Sequence, residues 1–120
     1  MKNFKDLKVW DKSHTLTLKI YETTRAFPQE EIYGLKSQMR RASVSIPTNI
    51  AEGCGRNSDA ELARFLEIAM GSASELEYLV LLSKDLKFFS DKLYTALTSE
   101  IIEIKQMLAT FIKKVRSDRR

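Results

Sequence analysis

The stretch EIYGLKSQMRRASVSIPTNIAEG, residues 31–53, decides the fold. Its apolar residues recur at intervals of four, three, four and four, at Leu35, Met39, Ala42, Ile46 and Ile50. This spacing places them on one face of an α-helix. The stretch therefore predicts an amphipathic helix from about Glu31 to Glu52, which Gly53 ends and which Pro47 kinks by removing one hydrogen bond.

Three further helices follow from apolar spacing and from capping residues. The first begins near Leu7 with Asp6 as its N-cap and ends ahead of residues 27–28. The third begins at the capping box of residues 58–61, and the fourth begins after Ser90. Apolar residues cover more than one face of the third helix, which indicates burial against more than one neighbour. They are Phe65, Leu66, Ile68, Ala69, Leu76, Leu79, Val80, Leu82 and Leu86.

Short connections between long amphipathic helices make consecutive helices antiparallel neighbours. The sequence thus predicts an all-α fold, an antiparallel up-down-up-down four-helix bundle, as one domain over residues 1–120 with a basic tail from about residue 116. The chain has only 4 Gly and 2 Pro, too few for a many-stranded fold. It contains neither a signal peptide nor a window approaching the ~20 apolar residues of a membrane span, so a cytoplasmic protein is expected.

The inventory of reactive residues argues against catalysis. A single cysteine, Cys54, and a single histidine, His14, leave too few ligands for a metal site. The paired Glu-x-x-His motifs of a di-iron bundle and the glycine-rich phosphate loops are both missing from the sequence. We therefore expect neither an enzyme nor a bound metal or cofactor, and we interpret Cys54 as a small residue in a tight turn.

A polar stripe lies beside the apolar face of the second helix, and Glu75 of the third helix accompanies it. Because buried charges need partners, an ion pair of Arg41 with Glu75 or with Glu52 is one interpretation; a solvated face is the other. The first interpretation assigns these residues to helix register or to a subunit contact. The set comprises Gln38, Arg41, Ser45, Asn49, Glu52 and Glu75.

Basic charge is concentrated in two segments. Residues 35–56 carry a net +3 and residues 105–120 a net +5, whereas residues 57–104 carry −5. Lysine and arginine near a helix C-terminus also stabilise the helix dipole, which is the simpler explanation for the second cluster. The link 53–58 is either a phosphate site or merely a helix end followed by a capped helix start, and the second is favoured. The candidate nucleic-acid contacts are Lys36, Arg40, Arg56, Lys113, Lys114 and Arg116.

The run from Leu35 to Gly53, with its SIP-NIAEG core, resembles the bacterial four-helix-bundle proteins encoded in intervening sequences of 23S rRNA genes. Residues 7–10 and 69–77 extend the resemblance, which covers residues 4 to about 80. It implies an antiparallel bundle that assembles into a homopentamer. It also extends to the accessory variability proteins of diversity-generating retroelements, which look like basic nucleic-acid adaptors that contact a reverse transcriptase.

The resemblance and the basic segments together favour a non-enzymatic homo-oligomer, a pentamer, that binds RNA or DNA electrostatically. A reverse transcriptase is an expected partner if the gene lies in a retroelement. The alternative is an oligomeric scaffold for protein partners that does not bind nucleic acid. An enzyme ranks below both.

Overall fold

The computed structural model describes residues 3–118 and contains four α-helices. These are α1 (Lys8–Thr23), α2 (Leu35–Cys54), α3 (Asp59–Asp85) and α4 (Asp91–Ser117). Each helix packs against the next in the chain, and α1 also packs against α4. The described part of the chain measures 50 × 23 × 20 Å, an elongated antiparallel bundle. The predicted fold class is therefore confirmed.

The core runs the length of the bundle and draws on all four helices. Its side chains of lowest exposure include Leu16, Ile46, Leu66 and Ile104, each 1% exposed or less. The predicted apolar face of α2 is buried throughout. On α3, however, Ile68 is 40% exposed, so its place in the predicted core was wrong. Leu86, the C-cap of α3, is 46% exposed and was also wrongly predicted as buried.

Capping explains where α3 and α4 begin. Ser58 Oγ accepts a hydrogen bond from the Glu61 backbone N–H at 3.2 Å, and Ser90 Oγ accepts one from Leu93 at 3.1 Å. Both predicted boundaries are confirmed. The Glu61 carboxylate pairs with Arg64 at 3.2 Å.

Three predicted boundaries were wrong. The second helix begins at Leu35 and not at about Glu31, because residues 29–31 form a separate 3₁₀ turn. Asp6 does not cap α1, because it lies in a 3₁₀ turn, Phe4–Asp6, and Leu7 occupies the cap position without a side-chain hydrogen bond. Gly53 does not end α2, which continues to Cys54 and has Gly55 as its C-cap. Gly53 is buried inside the helix because α3 passes close to its Cα. At the far end of the chain, α4 includes Arg116, and residues 119–120 of the predicted tail lie outside the described residues.

Pro47 lies within α2, and α1 compensates for the hydrogen bond that it removes. Proline has no N–H, so the Ser43 carbonyl, four residues earlier, has no partner within the helix. The Thr17 hydroxyl of α1 has one hydrogen, which it shares between that carbonyl and the Ser13 carbonyl, each 2.9 Å from the hydroxyl oxygen. The helix therefore accommodates the proline through a tertiary contact.

Candidate functional site

The polar stripe of α2 forms one wall of a groove against α3. The groove has a volume of about 560 Å³, which is within the range of small-molecule sites. Most of its lining side chains are polar, and Tyr33 and Gly34 lie at its end just ahead of α2. The lining residues are Tyr33, Gly34, Ser37, Gln38, Arg41, Ala42, Ser45, Ser72 and Glu75.

Ser45 is the centre of the hydrogen bonds that join the groove walls. The Ser72 hydroxyl of α3 donates to Ser45 Oγ at 2.8 Å. The Asn49 amide donates to Ser45 Oγ at 2.9 Å and to the Ser45 carbonyl at 2.8 Å. The Asn49 bonds lie within α2, and the Ser72–Ser45 bond joins α2 to α3.

The predicted ion pair of Arg41 is not formed. Glu52 pairs instead with Arg56 at 3.2 Å, and Glu75 accepts a hydrogen bond from the Gln38 amide at 3.5 Å. Within residues 3–118, Arg41 has no ion pair, and its side chain lines the groove exposed to solvent. Arg41 therefore agrees with the alternative that the sequence left open, a solvated face.

Sequence reasoning missed Tyr33 and Ser37, which complete the groove. Tyr33 is 96% exposed, and a large aromatic side chain so fully in water is uncommon. The signal available in the sequence was a tyrosine before a glycine at the start of the helix that bears the polar stripe.

The structure separates the six predicted nucleic-acid contacts. Lys36 and Arg40 lie near the start of α2, whereas Arg56 and the three α4 residues lie at the opposite end of the bundle. A 20-residue helix such as α2 is roughly 30 Å long, so one continuous patch is not formed.

Three of the six are already engaged by the protein. Arg40 donates to the Thr24 hydroxyl and to the Tyr21 carbonyl, both at 2.9 Å, and its guanidinium lies 4.5 Å from the centre of the Tyr21 ring. Arg40 thus joins α1 to α2. Arg56 pairs with Glu52, and Arg116 pairs with Glu67 at 2.6 Å.

Lys36, Lys113 and Lys114 have no ion pair among the described residues. Lys114 and Lys8 line a second, mainly apolar groove of about 500 Å³ between α1 and α4, together with Met107 and Phe111. Lys113 and Lys114 are therefore unpaired near the end of α4, whereas Lys36 lies at the opposite end of the bundle.

Salt bridges also join α1 to α4 further along the bundle. Lys12 pairs with Glu103 and Lys19 with Glu100, both at 2.9 Å. The hydrogen bond and charge of Glu103 raise the pKa of Lys12. Both pairs are solvent-exposed, so their contribution to stability is small.

The link after α2 is consistent with the simpler interpretation, a capped helix start. Ser58 occupies the N-cap of α3, Asp59 and Glu61 place carboxylates in its first turn, and Arg56 is paired with Glu52. Cys54 is 3% exposed and is the last residue of α2, so its predicted place in a tight turn was wrong. His14 stacks on Trp10 with 5.0 Å between ring centres. In the described part of the chain, no cluster of three or more His, Cys, Asp or Glu side chains is arranged to hold a metal ion.

The four-helix bundle agrees with the comparison to known proteins. The chain belongs to the 23S rRNA-intervening sequence protein family, whose model matches residues 5–110. A solved structure from Bacteroides thetaiotaomicron, described as a protein of unknown function from the S23 ribosomal protein family, is similar with a TM-score of 0.81. It is 26% identical, and the match covers 88% of this chain and 95% of that chain.

No curated protein matches this chain. Within residues 3–118, no helix is both long and apolar enough to cross a membrane.

Proposed function

We propose that this protein is a non-enzymatic homo-oligomer, a ring of five copies, that binds RNA or DNA through the phosphate backbone with little sequence selectivity. The observation that carries the proposal is Gly71, a glycine in the middle of α3 that the single chain does not need. Lys113 and Lys114, which have no ion pair among the described residues, support the binding of nucleic acid.

Gly71 has no packing role within one chain. A Cβ built there meets nothing within 4 Å, yet glycine in a helix interior costs about 0.5–1 kcal/mol relative to alanine. A glycine on an exposed face allows another backbone to approach closely. We infer that a second copy covers this position.

The residues around Gly71 form an exposed stripe on α3, which we call the assembly stripe. It continues through Ser74, Tyr78 and Leu81 at intervals of three, four and three, which places all four on one helix face. Tyr78 is 59% exposed and Leu81 is 36% exposed. Contact between copies removes this apolar surface from water, which stabilises the assembly.

Assembly multiplies the charge of the chain. One chain carries +4, so five chains carry +20. A field of this sign attracts polyanions from a distance, and unpaired lysines at the surface supply phosphate contacts.

The protein scaffold is the second candidate. It is favoured by the ion pairs of Arg56 and Arg116, because carboxylates neutralise two of the predicted phosphate contacts. The two candidates share the oligomer and differ in whether nucleic acid binds.

Replacing Gly71 with Ala is expected to stabilise the isolated chain by about 0.5–1 kcal/mol and to weaken the assembly. Light-scattering mass over a dilution series measures the assembly directly. Gly55→Ala is the matched control, since its Cβ meets the Glu52 carbonyl at an ordinary 3.5 Å and lies off the stripe. A Gly71→Ala protein with an unchanged mass at every dilution contradicts the proposed surface.

Reversing Lys113 and Lys114 to Glu is expected to weaken RNA binding and to reduce its logarithmic salt slope by roughly two, one for each lost phosphate contact. Filter retention of a labelled structured RNA between about 50 and 200 mM salt measures both. The control reverses Lys87 and Lys92, which changes the net charge equally at the other end of the bundle. An oligomer that retains no RNA at low salt overturns the adaptor and leaves the scaffold.

A further inference from the structure

The α2–α3 groove combines an unpaired guanidinium with hydroxyl groups. Arg41 has no ion pair within the described residues, while Ser37, Ser45 and Ser72 line the same space. Arginine binds phosphate through two parallel N–H groups, and serine hydroxyls add hydrogen bonds to its oxygens. This part of the groove is suited to one phosphate group.

Tyr33 supplies a different kind of contact at the end of the groove. Its ring is 96% exposed and lines the same space as Arg41. Exposed aromatic rings are the stacking surfaces on which single-stranded nucleic acid binds, and each stacked base contributes substantially to affinity. Tyr33 precedes α2, and Arg41 lies two turns into it, about 9 Å along the axis from Leu35.

Glu75 distinguishes this groove from a simple phosphate site. Its carboxylate faces the groove and holds only a long hydrogen bond, 3.5 Å, from Gln38. A carboxylate repels phosphate but accepts hydrogen bonds from sugar hydroxyls. The ribose 2′-hydroxyl is the group that separates RNA from DNA at a protein surface.

We propose that this groove binds one nucleotide of single-stranded RNA, with the base stacked on Tyr33, a phosphate on Arg41 and the 2′-hydroxyl donating to Glu75. This inference rests on the proposed nucleic-acid function and adds to it a preference for unpaired RNA. The groove opens beside α2, and its Ser72 lies about 100° around α3 from Gly71. Its Glu75 comes four residues after Gly71, so the rim of the groove on α3 borders the assembly stripe.

The first test uses a fluorescein-labelled ten-residue oligouridylate and its deoxy counterpart, titrated by fluorescence anisotropy. Arg41→Gln is expected to weaken oligouridylate binding about tenfold. Arg25→Gln removes the same charge from an exposed arginine outside the groove and is expected to change the affinity less than about twofold. Equal effects of the two variants overturn the inference while the proposed electrostatic function stands.

The second test separates stacking from charge. Tyr33→Ala is expected to weaken binding about tenfold, whereas Tyr33→Phe keeps the ring and the affinity. Because Tyr33 lies in solvent, both variants are expected to keep the helical circular dichroism spectrum. If Tyr33→Ala binds as the unchanged protein does, the base does not stack there and the inference is wrong.

The third test concerns the sugar. The unchanged protein is expected to prefer oligouridylate to its deoxy counterpart, and Glu75→Ala is expected to abolish that preference. Cross-linking with 4-thiouridine in the oligonucleotide is expected to label the peptide containing Tyr33. A label confined to the α4 end, or equal RNA and DNA affinity in the unchanged protein, overturns the inference.

Two further outcomes are informative. If the unchanged protein binds neither oligonucleotide nor structured RNA, the proposed function itself fails. If Arg41→Gln instead lowers the light-scattering mass without oligonucleotide present, a second copy occupies the groove and the nucleotide site is wrong.

Discussion

Replacing Thr17 with Val is expected to lower the free energy of unfolding by about 1–3 kcal/mol. Valine has nearly the same shape as threonine but donates no hydrogen bond. The Ser43 carbonyl would then lie buried without a partner, because Pro47 cannot supply the N–H that normally reaches it. Ser43 is fully buried and Thr17 is 9% exposed, so water does not readily replace the hydroxyl.

Urea denaturation followed by circular dichroism measures this effect. Thr17→Ser keeps the donor and is expected to lose less stability than Thr17→Val. The same substitution is then measured in a protein that carries Pro47→Ala, in which residue 47 regains an N–H for the Ser43 carbonyl. Thr17→Val is then expected to cost less, and a cost equal to that in the unchanged protein contradicts the proposed compensation.

Replacing Gly53 with Ala is the second large effect, with an expected loss of about 1–3 kcal/mol from overpacking. A Cβ at this position lies 3.0 Å from Leu62 Cδ1, 3.0 Å from Phe65 Cβ and 3.3 Å from the Leu62 carbonyl. Phe65 Cβ and the carbonyl are held by the α3 backbone, so α2 and α3 must separate. The gain in helix propensity from glycine to alanine opposes this loss but is smaller.

Gly71→Ala is the matched control, because it is the same substitution in a helix interior. The two variants are expected to move the thermal midpoint in opposite directions when measured at a dilution where the chain is monomeric. Gly53→Ala lowers the midpoint and Gly71→Ala raises it. A Gly53→Ala protein as stable as the unchanged one contradicts the close approach of α3.

These two sites explain what the stretch from Ser43 to Gly53 does in the fold. Because of Pro47, the Ser43 carbonyl of α2 accepts a hydrogen bond from Thr17 of α1. Gly53 allows α3 to pass close to α2. Ser45 lies between them and joins the two walls of the groove through Ser72. The residues that build the fold therefore also position the candidate site.

The sequence predicted the helices better than their ends. Serine caps at Ser58 and Ser90 were identified correctly, because capping depends on residues within one turn. Asp6 and Gly53 were misassigned because both have the residue type of a helix end. Their roles depend on a local 3₁₀ turn and on the approach of α3.

The candidate site was predicted in part. The stripe at Gln38, Arg41 and Ser45 lies on one face of α2, as its spacing indicates. Its completion by Tyr33 was missed, because this residue comes from the turn before α2. The net charge of a segment does not show which basic side chains are available to bind an anion. In the structure, Arg40, Arg56 and Arg116 each contact another side chain of the protein.

The sequence by itself determined the number of helices, their amphipathic faces and their antiparallel order, because periodicity, caps and short connections act within a few residues. Only the tertiary structure decided which charges are free, which glycine is crowded and which is open, and that a tyrosine shares a groove with an unpaired arginine. Those properties depend on neighbours from other helices, and helix packing alone brings these residues together.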